Sequence, residues 1–455
     1  MKDLKKLFGT DGIRGIANKD LTAELALKVG RACAKFLVKR NNNNGRGKII
    51  IGRDPRPSGD FLQGAIVAGI LSEGVDVYYA GIITTPAVAL LIKILDLDGG
   101  IVVSASHNPL EDNGIKFFAK GGQKLMDSQE KDIEEFILNA ESGNNENTYP
   151  IGLNVGRLIN LDNACDIYMD YVISNFNLNL GSLKIALDCA NGAAGVTAPL
   201  ILGKLGAEVL SFNTEITGEN INKNCGSTHP EHLQNLVLEN KADIGFSYDG
   251  DGDRVIACDS KGRIIDGDTV IAFCAIDLLK KGILKNDCVV TTVMANIGFD
   301  KIMESEGIKV YKTNVGDRYV LEKMLEVDCM LGGEQSGHII FRNISPTGDG
   351  VLSTLEFLNA ILNNRYDIES IYNIVPKYPQ LIRNIKVKNK ESILENSEIK
   401  LIIARVEDKL KGVGRILVRP SGTEPLIRVM VEAETQELAE KSVEEVIKSI
   451  AKSDR

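Results

Sequence analysis

The densest group of chemistry-bearing side chains is Asp249-Gly-Asp-Gly-Asp-Arg254, three carboxylates separated by single glycines and closed by an arginine. Three carboxylates so close in sequence turn toward one point only where the backbone is unusually free, and glycine permits that. Brought together they repel, and a hard divalent cation is the natural partner that stabilises them. The guanidinium of Arg254, directly after them, suits an anion arriving at that cation. A calcium-binding EF-hand loop is excluded, because its sixth position would be Arg254 instead of Gly and its twelfth Ser260 instead of Glu. A solvated acidic turn is the alternative.

Three further segments carry complementary chemistry. Ser104-Ala-Ser-His-Asn-Pro-Leu-Glu-Asp-Asn-Gly-Ile-Lys116 follows the apolar run Gly100–Val103, so it is placed at the carboxyl end of a buried strand, where α/β folds build their sites. Ser106 offers a hydroxyl nucleophile beside His107, and Lys116 offers a charge to neutralise an attached phosphoryl group; a plain Ser/Asn/Pro turn is the competing reading. In Arg419-Pro-Ser-Gly-Thr-Glu-Pro-Leu-Ile-Arg428, the hydroxyls of Ser421 and Thr423, the bare backbone of Gly422 and the guanidinium groups of Arg419 and Arg428 suit a terminal phosphate. Arg428 also fits an outward-facing strand position. Gly332-Gly-Glu-Gln-Ser-Gly-His338 presents Glu334, Ser336 and His338 on a flexible loop suited to sugar hydroxyls, or else forms a Gly-rich hairpin. His229 and His232 have metal-ligand spacing, but Thr228-His-Pro-Glu231 reads better as a capping box opening a helix over 232–239. The chain has no GxxxxGK[ST] and no GxGxxG after a strand, which argues against an NTPase or a dinucleotide enzyme.

One pattern positions these segments, and it occurs three times. The strands Lys48–Ile51, Leu183–Leu187 and Cys288–Val293 are each followed by a loop, a helix (61–73, 196–205 and 299–306), a helix-stopping glycine and a second strand. Each set is a βαβ unit, which favours a buried parallel or mixed sheet. From about Pro376 the pattern changes to strands at 382–387, 400–406, 415–419 and 426–432, then one helix over 436–451, the outline of a smaller α+β domain. The fold class expected is α/β with four domains: 1–155 with the serine, 156–257 with the metal loop, 258–374 with the sugar loop, and 375–455 with the phosphate loop. Asn41–Gly45 and Glu141–Asn147 read as connectors.

Composition bounds the rest. The 455 residues are 44 % hydrophobic and 25 % charged, as in ordinary globular proteins, so a long disordered tail or a collagen-like rod is excluded. A net charge of −9 gives no global attraction to nucleic acid or to an anionic membrane, so a substrate anion needs local basic clusters. Val270–Leu279 is among the longest apolar runs and Asp277 breaks it, so nothing approaches the ~18–20 residues of a membrane span. The start, Met1–Phe8, is charged with no apolar stretch behind it, unlike a secretory signal. The eight cysteines include no close pair, and a reducing cytoplasm is the compartment expected.

In this order the segments resemble the α-D-phosphohexomutase superfamily over essentially the whole chain. The likeness begins with Phe8-Gly-Thr-Asp-Gly-Ile-Arg-Gly15 and includes Val315-Gly-Asp-Arg-Tyr-Val320, and Gln335 resembles the glucosamine branch. The resemblance implies four domains around a central cleft, the first three sharing an α/β core. It implies that Ser106 is the phosphorylated serine and a metal ligand, with Asp249, Asp251 and Asp253 completing the protein's share of one Mg2+ site. Arg14, His107, Lys116 and His338 match positions near the reacting phosphoryl group. Arg254, Glu334, Ser336, Arg419, Ser421, Gly422, Thr423 and Arg428 match substrate-binding positions. The implied reaction interconverts glucosamine 6-phosphate and glucosamine 1-phosphate through a 1,6-bisphosphate of glucosamine or glucose, acting as intermediate or primer. That would feed UDP-N-acetylglucosamine and cell-wall synthesis. Phosphomannomutase or phosphoglucomutase activity, or a metal-dependent sugar phosphatase, are the alternatives. The implied partner is a small phosphosugar, with no nucleic acid and no membrane, and a homodimer is the assembly left open.

Overall fold

A computed structural model describes residues 7–9, 11–39, 46–139, 149–364, 367–421 and 426–453. The two expected connectors, together with Gly422 and Thr423, lie outside the described residues. The chain divides into two units, one of Met1–Val293 with Ile308–Tyr372 and one of Met294–Gly307 with Asn373–Arg455. Among the described residues no helix is long and apolar enough to cross a membrane.

The first unit holds three sheets. Strands β1 (Ile13–Ile16), β2 (Lys48–Arg53), β3 (Asp76–Ile82), β4 (Gly99–Val103), β5 (Asp112–Ala119) and β6 (Leu158–Asn160) form the first, in the order β1-β5-β4-β2-β3-β6. Strands β7 (Lys184–Asp188), β8 (Glu208–Phe212), β9 (Ile244–Tyr248), β10 (Val255–Asp259) and β11 (Ile264–Ile265) form the second, in the order β11-β10-β9-β7-β8. Strands β12 (Cys288–Thr292), β13 (Lys309–Thr313), β14 (Leu331–Gly333) and β15 (Ile339–Phe341) form the third, in the order β13-β12-β14-β15. The strand pairs expected from the repeat are β2/β3, β7/β8 and β12/β13, and all three pair in parallel.

The repeat extends further than the sequence pattern reached. In each sheet a third strand (β4, β9, β14) joins the parallel pair, and the chain then turns back into an antiparallel neighbour (β5, β10, β15). The turn between that third strand and its return carries Ser106 in the first sheet, Asp249–Arg254 in the second and Glu334–His338 in the third. Parallel strands buried on both faces read as near-continuous apolar runs, and β4, β9 and β12 are buried at every position. In the first sheet Ile49, Ile51, Ile101 and Val103 share a core with Leu62, Ile66 and Ile70 of the helix Ser58–Ser72.

Helix boundaries moved for local reasons. The helix expected from Phe61 starts at Ser58, because Pro57 already has a helical φ of −58°. That expected over 196–205 splits into a 3₁₀ turn, Ala193–Val196, and a helix, Ala198–Lys204, since Pro199 is accommodated only in a first turn. The helix near His232 begins at Pro230 with His229 at its N-cap and no side-chain cap bond, so Thr228 forms no capping box. His232 meets Asn213 at 3.0 Å and His229 meets Glu231 at 3.3 Å, and among the described residues neither joins a cluster of metal-ligating groups.

The second unit is built on a three-stranded antiparallel sheet, β16 (Gln380–Lys386), β18 (Leu426–Ala433) and β17 (Gly414–Pro420), with β18 central. The helix Ile297–Ser305 belongs with it: the Ile297 N–H donates to Glu432 Oε2 at 2.9 Å, and Arg415 Nε donates to the same oxygen at 2.7 Å. The strand expected over 400–406 is instead part of a helix, Ser397–Leu410. Its β-branched run suggested a strand, but Ile399, Val406 and Leu410 recur at helical spacing and are buried, whereas Leu401 is 63 % exposed. Asn396 caps the helix by accepting from the N–H groups of Glu398 and Ile399. The helical face makes opposite predictions for two leucines. Leu410→Ala should cost about 2–5 kcal/mol and Leu401→Ala less than about 0.5 kcal/mol in urea unfolding, and equal effects would contradict this face.

Candidate active site

Ser106 stands on the turn after β4 with a left-handed backbone, φ 54°, a conformation few non-glycine residues adopt. Its side chain is 2 % exposed, and its Oγ donates to Asp249 Oδ2 at 2.5 Å, linking turns from two sheets. His107 Nδ1 lies 3.1 Å from the same Oγ. Burial first, then the charges of Arg254 and Arg14, push the His107 imidazole down to about 4, so it is neutral at physiological pH.

The three aspartates converge as their spacing suggested: one carboxylate oxygen from each lies within 4.8 Å of the other two, and all three residues are buried. Glycine makes this turn possible at two positions. Gly252 has φ +72°, and a Cβ on Gly250 would stand 2.6 Å from the Ser106 carbonyl oxygen. Asp249 Oδ1 accepts the Arg254 backbone N–H at 3.2 Å. Asp251 Oδ2 accepts Lys116 Nζ at 2.8 Å and the Thr85 hydroxyl. Asp251 Oδ1 and Asp253 Oδ1 are buried without a hydrogen-bond partner. Buried carboxylate oxygens left unpaired are costly, and an all-oxygen set with free lone pairs aimed at one spot suits a hard divalent cation. Burial, then the Asp253 and Asp251 charges, push the Asp249 carboxyl well above the usual carboxylate range.

Around this core runs a ring of alternating charge. Lys116 Nζ, 1 % exposed, lies 3.2 Å from Asp11 and 3.5 Å from Asp253. Asp253 lies 3.6 Å from His338 Nδ1, and His338 Nε2 lies 3.5 Å from Asp317. Lys124 closes the ring by bonding both Asp317 and Asp11, the latter at 2.7 Å. Arg14 adds a second cation on Asp11 at 2.6 Å. Burial opposes the Lys116 charge, but Asp11, Asp251 and Asp253 outweigh it and hold the ammonium well above its ordinary range. For His338 burial is likewise outweighed, by Asp253 and Asp317, and the imidazole is raised. Asp11, Lys124 and Asp317 were not singled out from the sequence. The first and last do lie in quoted motifs, Phe8–Gly15 and Val315–Val320, whose chemistry had no partner in sequence alone.

The Gly-rich turn of the third sheet reaches this assembly through its backbone. The Val255 N–H donates to the Gly337 carbonyl at 3.0 Å, directly after Arg254. Glu334 Oε1 accepts the Gly316 N–H at 3.0 Å, and exposed Ser336 donates to Glu334 Oε2 at 3.4 Å. Thus Ser106, His107, Lys116, Arg14, the three aspartates, Arg254, Glu334, Ser336 and His338 belong to one region of the first unit. Arg419, Ser421 and Arg428 belong to the second unit. There Arg419 on β17 and Arg428 on β18 are direct cross-strand neighbours, both half-buried. Like charges so paired are unfavourable, and burial, then Arg428, lowers the Arg419 pKa.

Four domain profiles of phosphoglucomutase/phosphomannomutase match the chain: alpha/beta/alpha domain I over residues 5–144, domain II over 166–262, domain III over 266–378, and the C-terminal domain over 383–449. The chain belongs to the phosphoglucomutase/phosphomannomutase family and is a phosphohexomutase, an isomerase. A phosphoglucosamine mutase of Carboxydothermus hydrogenoformans is 48 % identical over 448 residues, covering 98 % of this chain and 99 % of that protein. A phosphoglucomutase/phosphomannomutase family protein of Burkholderia thailandensis superposes with a TM-score of 0.80 at 25 % identity, covering 98 % of this chain and 97 % of that one. N-acetylphosphoglucosamine mutase of Aspergillus fumigatus, solved with GlcNAc-6P and magnesium, shares the fold with a TM-score of 0.72 at 17 % identity, covering 99 % and 96 %.

The charge ring generates a stability prediction. Lys116→Met leaves Asp11, Asp251 and Asp253 without their shared buried cation and should cost about 3–5 kcal/mol, read as a lower Tm in metal-free buffer. A Tm unchanged within about one degree would contradict the ring.

Proposed function

We propose that this chain interconverts glucosamine 6-phosphate and glucosamine 1-phosphate by passing a phosphoryl group through Ser106. The observation that carries the chemistry is the 2.5 Å approach of the Ser106 hydroxyl to Asp249, within a triplet that has two carboxylate oxygens without a hydrogen-bond partner. The substrate follows from the near-full-length relative, a phosphoglucosamine mutase.

Phosphoryl transfer depends chiefly on in-line positioning and on neutralising charge at the transferred group. In the forward direction the phosphoryl group leaves Ser106 for the free hydroxyl of the sugar phosphate. The P–O bond to serine breaks, a P–O bond to the sugar forms, and the proton of the sugar hydroxyl is released. The product is a 1,6-bisphosphate. After it turns over, its other phosphoryl group returns to Ser106 and the isomerised monophosphate departs. Neutral His107, at 3.1 Å from Ser106 Oγ, is placed to exchange a proton with the serine oxygen. Lys116, Arg254 and Arg14 supply fixed positive charge along the reacting group. Asp249, Asp251, Asp253 and the Ser106 oxygen would hold one Mg2+. Bound there, the ion would supply positive charge to the phosphoryl oxygens.

Glu334 and Ser336 suit sugar hydroxyls, and His338 stands beside them between two carboxylates. Arg419, Arg428, Ser421, Gly422 and Thr423 suit the phosphate at the far end. The sugar must bind in two orientations, so a grip that reads phosphate alone serves both. We assign the reaction to a reducing cytoplasm, where eight unpaired cysteines are at home.

The test is a panel of glucosamine, glucose and mannose 6-phosphates, each with its 1,6-bisphosphate as primer. The fastest isomerisation is expected with glucosamine 6-phosphate. Preference for mannose or glucose would move the substrate assignment, and steady release of inorganic phosphate at the isomerisation rate would favour a phosphatase. Ser106→Ala should abolish turnover while leaving the fold intact, and retained turnover would remove the serine from the mechanism. Arg419→Ala should raise KM about 10-fold or more, as loss of a charged phosphate contact does, with the metal titration unchanged; an unaltered KM would misplace the clamp.

A further inference from the structure

The nucleophile and the carboxylates that face it stand on different sheets, so something must hold the two turns in register. Two residues, Asp54 and Arg56, shape the serine turn from within its own sheet. Both are 0 % exposed. Arg56 Nε donates to Asp54 Oδ2 at 3.1 Å, and its Nη2 donates to the carbonyls of Ser106 at 3.0 Å and Asn108 at 2.8 Å. Asp54 accepts the Ser104 hydroxyl at 2.6 Å, and Ser104 Oγ in turn accepts the Ser106 N–H at 2.9 Å. This scaffold sets the left-handed conformation of Ser106. It carries no information about where the aspartates lie.

Asn222 carries that information. It follows β8 on the second sheet's side of the chain, is 8 % exposed, and is itself left-handed with φ 57°. Its own N–H donates to the Ala190 carbonyl at 2.9 Å, tying it to the turn after β7. Its side-chain amide donates to the Ser106 carbonyl at 2.8 Å and to the Asn108 carbonyl at 3.2 Å. The same amide packs on the metal loop: a Cβ at Gly250 would meet Asn222 Nδ2 at 2.9 Å and the Ser106 carbonyl oxygen at 2.6 Å. One amide from the second sheet therefore grips the nucleophile's own peptide at the point where that peptide touches the residue between Asp249 and Asp251.

We infer that Asn222 is a positioning residue for phosphoryl transfer. It holds the Ser106 peptide against the aspartate turn, so that Oγ meets Asp249 and the line of transfer is set before substrate arrives. Its side-chain amide is engaged by the Ser106 and Asn108 carbonyls. A misplacement of about 1 Å at such a centre costs on the order of 100-fold in rate. The effect of losing the amide therefore falls on the transfer step, with substrate affinity left in place. The inference rests on the reading of Ser106 as the phosphoryl carrier.

Asn222→Asp is the sharpest variant, because aspartate keeps the volume, tolerates the left-handed backbone and turns the donor into an acceptor facing two carbonyls. Asn222→Ala removes the donor without adding charge and is measured beside it. Two quantities are read against the parent enzyme: the rate at which a hexose 1,6-bisphosphate adds one phosphoryl mass to Ser106, and the steady-state kcat and KM. For both variants loading and kcat should fall by about 30- to 100-fold, with KM within about twofold and most of the protein still folded at the assay temperature. Either variant loading Ser106 at the parent rate, a loss confined to KM, or a loss that tracks the unfolded fraction would overturn the role. A parent that takes no phosphoryl group on Ser106 would instead overturn the reading of the serine, so the two failures are distinct.

Discussion

Three carboxylates brought within a few ångströms of one another and closed off from water are the constraint on which the rest of this structure depends. Such a group repels itself and loses its hydration, and it persists only if positive charge is supplied around it. Lys116, raised above its ordinary range and sunk among Asp11, Asp251 and Asp253, supplies one part of that charge. Arg254 and His338 supply more from the flanks. One oxygen each of Asp251 and Asp253 remains without a hydrogen-bond partner, in a group of carboxylates that could hold a metal ion. The Ser106 hydroxyl is held at the edge of that same cluster, 2.5 Å from Asp249.

The fold meets this requirement by repetition. In each of the first three sheets the turn between the third parallel strand and its antiparallel return carries part of the cluster, while Arg14 and Lys116 join it from β1 and β5. The carboxyl ends of parallel strands are where α/β folds place their sites, and here three such ends contribute to one assembly: a serine from the first, carboxylates from the second, and a glutamate and histidine from the third. Side-chain bonds from Ser106 and Asn222 join the first turn to the second sheet, and the backbone bond from the Val255 N–H to the Gly337 carbonyl, at 3.0 Å, joins the second turn to the third. The C-terminal unit carries a different feature, two guanidinium groups, Arg419 and Arg428, in direct cross-strand register.

Much of this was legible in the residues themselves. The glycines between the aspartates announced a convergent turn, and the three apolar-loop-helix-glycine patterns announced three parallel pairs. What could not be read was anything that depends on two distant segments meeting. Asp11, Lys124 and Asp317 are ordinary charged residues until the sheets bring them together, and Asn222 lies in a polar stretch with no pattern of its own. The misread strand at 400–406 failed for a related reason: isoleucine and valine favour strands locally, while the helical spacing of Ile399, Val406 and Leu410 matters only once a partner surface covers that face. The missing capping box near His232 shows the reverse case, in which a proline's fixed φ set the helix start and a side-chain cap was not used.

The central claim is that the phosphoryl group travels by way of Ser106 and goes to sugar in preference to water. It is tested most directly by loading the enzyme with radiolabelled phosphate on that serine, removing free label, and mixing it with excess unlabelled glucosamine 6-phosphate in a single turnover. The account predicts that label leaves the protein within one catalytic cycle and appears first in sugar bisphosphate, then in sugar monophosphate. Label that stays on the protein while product forms, or that emerges directly as inorganic phosphate, would contradict it.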